Sequence, residues 1–191
     1  MMTEDTLSPE EQIALLKLAR QGLEFGVRGE PLPQLAPDEI PVRLLEPGAT
    51  FVTLTKGGQL RGCIGTLDPY RSLADDVREH AMAAALKDYR FPQVQSAELD
   101  EINIEVSRLT SPHPIEYDGP DDLLAKIQPG VDGLVIRDGP RRATFLPQVW
   151  EKLPDPVDFL NQLCRKMGGQ PDLWRIRPLE IEVYWVEKYY E

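Results

Sequence analysis

The sequence predicts an α+β fold in which an antiparallel β-sheet is flanked by helices. Two hairpin signatures point to it, at Gly57-Gly58 and at Asp138-Gly139-Pro140. Residues 101–109 and 180–188 alternate apolar and polar side chains as half-buried strands do. The helical stretches stand apart from the strands and do not alternate with them, which argues against a parallel sheet.

The elements follow in order. Ser8-Pro9-Glu10-Glu11 has the composition of a helix start, with Ser8 as N-cap, Pro9 in the first turn and Glu11 as capping-box partner. Ile13, Leu16, Leu23 and Val27 form its apolar stripe, and Gly26 and Gly29 mark its end. Pro31, Pro33, Pro37, Pro41 and Pro47 predict an irregular surface segment over 31–48. The hairpin of residues 50–56 and 59–67 comes next, then a helix from Ser72-x-x-Asp75 to about Lys87, with Leu73, Val77, Ala81 and Ala84 on one side. After the strand of 101–109 and a proline-rich loop, a short helix is expected over 121–127. The hairpin of 131–137 and 142–146 leads to a helix over 155–167, with Phe159, Leu160, Leu163 and Cys164 inward. Gly168-Gly169 stops it, and a final strand covers 180–188.

Composition narrows the function classes. The 191 residues carry 21 Lys and Arg against 32 Asp and Glu, a net charge of −11. Taken in successive blocks of 50, the acidic excess is spread along the chain, with neither a basic arm nor an acidic tail. Such a chain repels a phosphate backbone, so nucleic acid is disfavoured as a partner. No apolar run reaches the length of about 18 residues of a membrane helix. The acidic start, Met1 to Glu11, has no leader-like pattern, and two cysteines cannot form a disulfide framework. A cytoplasmic protein with free thiols is expected. The cysteine and histidine spacings match no metal motif, and no phosphate loop, dinucleotide fingerprint or nucleophile elbow occurs. No metal is expected, nucleotide-cofactor enzymes of those types are disfavoured, and the sequence names no other cofactor.

The densest chemistry lies in Leu60-Arg61-Gly62-Cys63-Ile64-Gly65-Thr66-Leu67. Without a bulge, strand alternation places Arg61 and Cys63 on one face, where a guanidinium favours a thiolate. Gly62 and Gly65 permit close approach of a ligand or a neighbouring backbone. Glu105 and Ser107 share the strand face opposite Ile104 and Val106 and offer a base and a hydrogen-bond donor. An ordinary polar strand face has the same composition. His80 borders the apolar stripe of its helix, and histidine is the side chain suited to general acid or base work near neutral pH. Gln148, where strand passes to helix, is the polar side chain of that junction able to face a cleft. Cys164 falls on an apolar helix face and is assigned to the core.

The segment Leu60–Leu67 resembles the hallmark of the AMMECR domain family, whose prokaryotic members are called AmmeMemoRadiSam system protein A. Asp88-Tyr89-Arg90-Phe91-Pro92, Ile104-Glu105-Val106-Ser107, Thr144-Phe145-Leu146-Pro147-Gln148-Val149-Trp150 and Phe159-Leu160-x-x-Leu163-Cys164-x-Lys166 are similar to further family segments, in the same order. Lys166 is followed by Met-Gly-Gly where relatives often have Ala-Gly-Leu. The resemblance implies one AMMECR-type domain over 1–191, a larger sheet-based part with a smaller α/β lobe packed beside it. It further implies motif residues lining a cleft, and Memo-like and radical-SAM proteins as partners. It brings no assigned activity. Two readings follow. In one, Cys63 is the nucleophile or acceptor of a modification reaction, with Arg61, Glu105, Ser107 and His80 around it. In the other, Gly62, Gly65 and Arg61 form a non-catalytic cradle for an anionic or protein ligand, with Gln148 beside it.

Overall fold

Helix α1 (Pro9–Arg28) starts where the sequence places it, because the Ser8 hydroxyl accepts from the Glu11 N–H while the Glu11 carboxylate accepts from the Ser8 N–H. It runs through Gly26 and ends at Gly29, whose φ of 70° only glycine adopts easily. The computed structural model describes residues 6–191. Met1–Asp5, the first part of the acidic start, lie outside the described residues.

The described chain forms two compact units, residues 6–110 with 187–191 and residues 111–186. Each has its own four-stranded sheet and helices, a mixed α+β architecture. In the first unit the strand order is β2-β1-β3-β8, from β1 (Ala49–Lys56), β2 (Gln59–Gly65), β3 (Ile102–Leu109) and β8 (Val186–Tyr190). β1 pairs antiparallel with both β2 and β3. Helices α1 and α2 (Leu73–Leu86) cover one face. Val52, Leu54, Ile104 and Val106 meet Leu73, Val77, Ala81 and Ala84 of α2 and Leu15, Ala19 and Leu23 of α1. The opposite face carries the alternate residues and no helix of this unit.

The second unit orders its strands β4-β7-β5-β6, from β4 (His113–Pro114), β5 (Gly133–Asp138), β6 (Arg141–Phe145) and β7 (Glu180–Tyr184), all antiparallel. Helix α3 (Pro120–Lys126), α4 (Pro156–Lys166) and the short α5 (Leu173–Ile176) accompany this sheet. Its core gathers Leu134, Ile136, Phe159, Leu160, Leu163, Cys164 and Trp174, and Trp150 stacks on Phe159 with ring centroids 3.7 Å apart.

One expectation needs correction here. The alternating run 180–188 is not a single strand. It breaks at Trp185, and its halves, β7 and β8, enter different sheets. Alternation sets which face a residue occupies but not which sheet the strand joins. Among the described residues no helix is long and apolar enough to cross a membrane.

Candidate functional site

The motif strand is held by close packing. An added Cβ at Gly62 would lie 2.1 Å from the Ala84 carbonyl oxygen, so α2 rests directly on the strand backbone there. At Gly65 it would meet the Phe51 ring and the Thr50 carbonyl, both at 2.4 Å. Both glycines thus have packing reasons within the protein itself.

Arg61 does not partner Cys63. The β1–β2 register jumps from Leu54–Gly62 to Thr55–Leu60, leaving Arg61 as the extra residue of a bulge. The bulge breaks the alternation on which the expected Arg61–Cys63 pairing rested. Its guanidinium instead makes a two-pronged pair with Glu98, at 3.1 and 3.0 Å, and donates to the Pro92 carbonyl at 2.7 Å. Arg61 foremost, then the Gln95 N–H, pushes the Glu98 carboxyl down to about 2.

A carboxylate depressed on folding stabilises above its ordinary pKa of 4.5, and the gain is lost as pH falls toward about 2. Acidification through that window is expected to cost the wild type about 1 kcal/mol more than Glu98→Gln, after solvent screening of this partly buried pair. Urea titrations of both proteins at the two ends of the window check it. Equal losses would remove the Arg61–Glu98 pair from the account of acid stability.

Cys63 sits half-buried on the face opposite α1 and α2 and is gripped through its backbone. Its N–H donates to Asp88 Oδ2 at 2.8 Å, and its carbonyl accepts from Arg90 Nη2 at 3.4 Å. Arg90 in turn pairs with Asp88 at 2.7 and 2.9 Å and holds the Asp88 carboxyl well below the usual carboxylate range, helped by the Cys63 N–H. Thr53, directly across on β1, donates its hydroxyl to Cys63 Sγ at 3.3 Å.

The same Thr53 faces Glu105 on β3. Glu105 accepts from Ser107 Oγ at 3.2 Å and pairs with Lys188 of β8 at 3.2 Å. A polar row therefore runs Cys63, Thr53, Glu105, Lys188 across four strands. With strands about 4.8 Å apart, Glu105 is about 10 Å from Cys63, too far for direct proton transfer.

The other sequence candidates lie elsewhere. His80 is buried on the helix side of the sheet, where Nδ1 lies 3.1 Å from Asp76 and 3.4 Å from the Thr50 hydroxyl. The sheet separates it from Cys63. Gln148 belongs to the second unit, exposed in a 3-10 turn over Pro147–Glu151, and is no part of the row. Sequence reasoning missed Thr53, Asp76, Lys188 and the Asp88–Arg90 grip. The signal available for the grip was the Asp88-x-Arg90 spacing, since a carboxylate and a guanidinium two residues apart can bridge one backbone residue of a neighbouring strand. Among the described residues no group of three His, Cys, Asp or Glu side chains is placed to hold a metal ion.

Comparison with known proteins supplies the lineage. The AMMECR1 family model matches residues 16–189. A protein of Methanothermobacter thermautotrophicus is 43% identical over 167 residues, covering 87% of this chain and 86% of that one. A protein of Thermofilum pendens is 37% identical over 190 residues, covering 92% and 87%. The crystal structure of the uncharacterised protein PH0010 from Pyrococcus horikoshii superposes with a TM-score of 0.71 at 33% identity, covering 97% of this chain and 93% of that one.

Proposed function

The chain belongs to the AMMECR1 family, and on that footing we propose that its first unit carries a thiol-centred group-transfer site with Cys63 as nucleophile. The observation that supports this reading is the fixing of Cys63. Asp88 and Arg90 hold its backbone, Thr53 orients its sulfur, and Cys63 lies on the face of the sheet opposite α1 and α2. A thiol immobilised in that way is preorganised for attack on a bound group.

In the transfer step the Cys63 thiolate attacks an electrophilic carbon on the donor. The S–C bond forms as the bond to the leaving group breaks, and the leaving group takes up a proton to replace the one the thiol released. Glu105, Ser107 and Lys188 are assigned to binding the polar parts of the donor. The resemblance supplies the partners in this reading, with a Memo-like or radical-SAM protein bringing or receiving the group. Both cysteines are free, and the reading requires the reducing cytoplasm to keep them so.

The alternative anion cradle at Arg61–Gly65 is less well supported. Glu98 already occupies the Arg61 guanidinium, and Asp88 occupies the Cys63 N–H.

Alkylation by iodoacetamide tests the proposal, with buried Cys164 as internal control. Burial pushes the Cys164 thiol up. Cys63 is expected to react at least about tenfold faster than Cys164 in the folded protein, and Cys63→Ser should abolish the fast adduct. A Cys63 no more reactive than Cys164, or a fast adduct that survives Cys63→Ser, sinks the assignment.

A further inference from the structure

The second unit segregates its charge in a way that counting along the chain conceals. Its 76 residues hold nine basic and twelve acidic side chains. Five of the bases, Arg141, Arg165, Lys166, Arg175 and Arg177, gather around the C-terminal end of α4. Hydrogen bonds from different elements fix that gathering. Arg141 of the hairpin donates to the Gly168 carbonyl just beyond α4 at 3.1 Å. Arg177, following α5, reaches Asp138 at the hairpin tip at 2.5 Å, and Arg141 pairs with the same carboxylate. Lys166 donates to the Thr144 carbonyl on β6 at 2.8 Å. Asp138 sits among these cations, and apart from the five bases, Asp138 and Asp172 the unit holds four basic against ten acidic side chains.

Helix-end electrostatics accounts for part of this. Cations favour a helix C-terminus, and one or two suffice to meet its free carbonyls. Arg165 and Arg175 are left over. Both are exposed, and among the described residues no carboxylate is paired with either; Arg175 lies over the Trp174 ring at 4.6 Å. Between Arg175 and Arg177 stands Ile176, 61% exposed.

The geometry points to this patch as a docking surface for an acidic polypeptide segment with an apolar anchor. Guanidinium groups pair with carboxylates in two-pronged geometry, and Ile176 gives the partner an apolar contact at the centre of the charge. Nucleic acid fits less well. Trp174 is buried and Phe145 lies beneath Lys166, which leaves no open ring in the patch on which bases could stack. A chain at −11 also repels a dense polyanion beyond such a small patch.

Fluorescence anisotropy on the full chain tests the proposal with two labelled probes, an acidic Glu/Leu peptide and a single-stranded RNA of about 16 nucleotides. The peptide is expected to bind at low salt and weaken as salt rises. Arg165→Glu with Arg175→Glu should weaken it at least about tenfold, and Ile176→Ser severalfold. Both positions are exposed, so circular dichroism should be unchanged. Absence of peptide binding at low salt, peptide binding indifferent to the charge reversals, or RNA bound more tightly than peptide would each overturn it.

Discussion

Asp76→Ala is expected to destabilise the first unit by about 3–5 kcal/mol, the range for stripping one partner from a buried charged network. The Asp76 side chain is fully buried. Its Oδ2 accepts from the Thr50 N–H at 2.8 Å, the Thr50 hydroxyl at 2.7 Å and His80 Nδ1 at 3.1 Å. Arg71 lies 3.3 Å from the other oxygen. Removing the carboxylate leaves a backbone donor at the start of β1 and a hydroxyl without their acceptor and takes the counter-charge from beside Arg71, which keeps Glu79, and each such loss is costly inside a core. Asp76→Asn keeps an acceptor for Thr50 but loses the charge facing Arg71, so it should fall between the two. All three tryptophans belong to the second unit. Circular dichroism should therefore register the early loss, while tryptophan fluorescence follows the second unit separately. An Asp76→Ala protein within about 1 kcal/mol of wild type would refute the role given to this carboxylate.

Gly62→Ala is the second large effect, at about 3 kcal/mol or more. One methyl is added, but it would stand 2.1 Å from a backbone oxygen of α2. A side chain could swing aside; a helix carbonyl moves only with its helix. The helix must lift from β2, and Leu73, Val77, Ala81 and Ala84 lose contact with Val52 and Leu54. Overpacking of this kind exceeds the usual cost of about 1–3 kcal/mol when the neighbour cannot yield. Cys63→Ala, one residue on and facing away from α2, should cost clearly less. Comparison of urea midpoints for the two variants decides the matter. If Gly62→Ala is the milder of the two, the glycine is not there for helix approach.

Local rules were enough to read most of the elements. Ser8 and Ser72 capped their helices, the diglycine at 57–58 turned its hairpin, and the alternation in β3 put Glu105 opposite the apolar face. These features depend on neighbours within a few residues, and composition records them. The site was less legible because its contacts span long separations. A bulge at Arg61 costs no special residue and so leaves no mark, yet it redirected the one cation assigned to Cys63. Thr53 is unremarkable as a β-branched strand residue until the register sets it between Cys63 and Glu105. His80 bordered an apolar stripe in one dimension, and only the packing of α2 on β1 revealed Asp76 and Thr50 beside it. The basic patch was hidden for the same reason, since its members come from a hairpin, a helix end and the segment after α5.

The grip on Cys63 also decides how anything can reach it. β2 is the outermost strand of its sheet, and such a rim usually offers unpaired amides and carbonyls to which another extended chain can be added. At Cys63 those outward groups are taken, the amide by Asp88 and the carbonyl by Arg90. A polypeptide cannot zip onto the sheet at that point. It has to reach the thiol with a side chain or a terminus, and strand addition along β2 is interrupted at this residue.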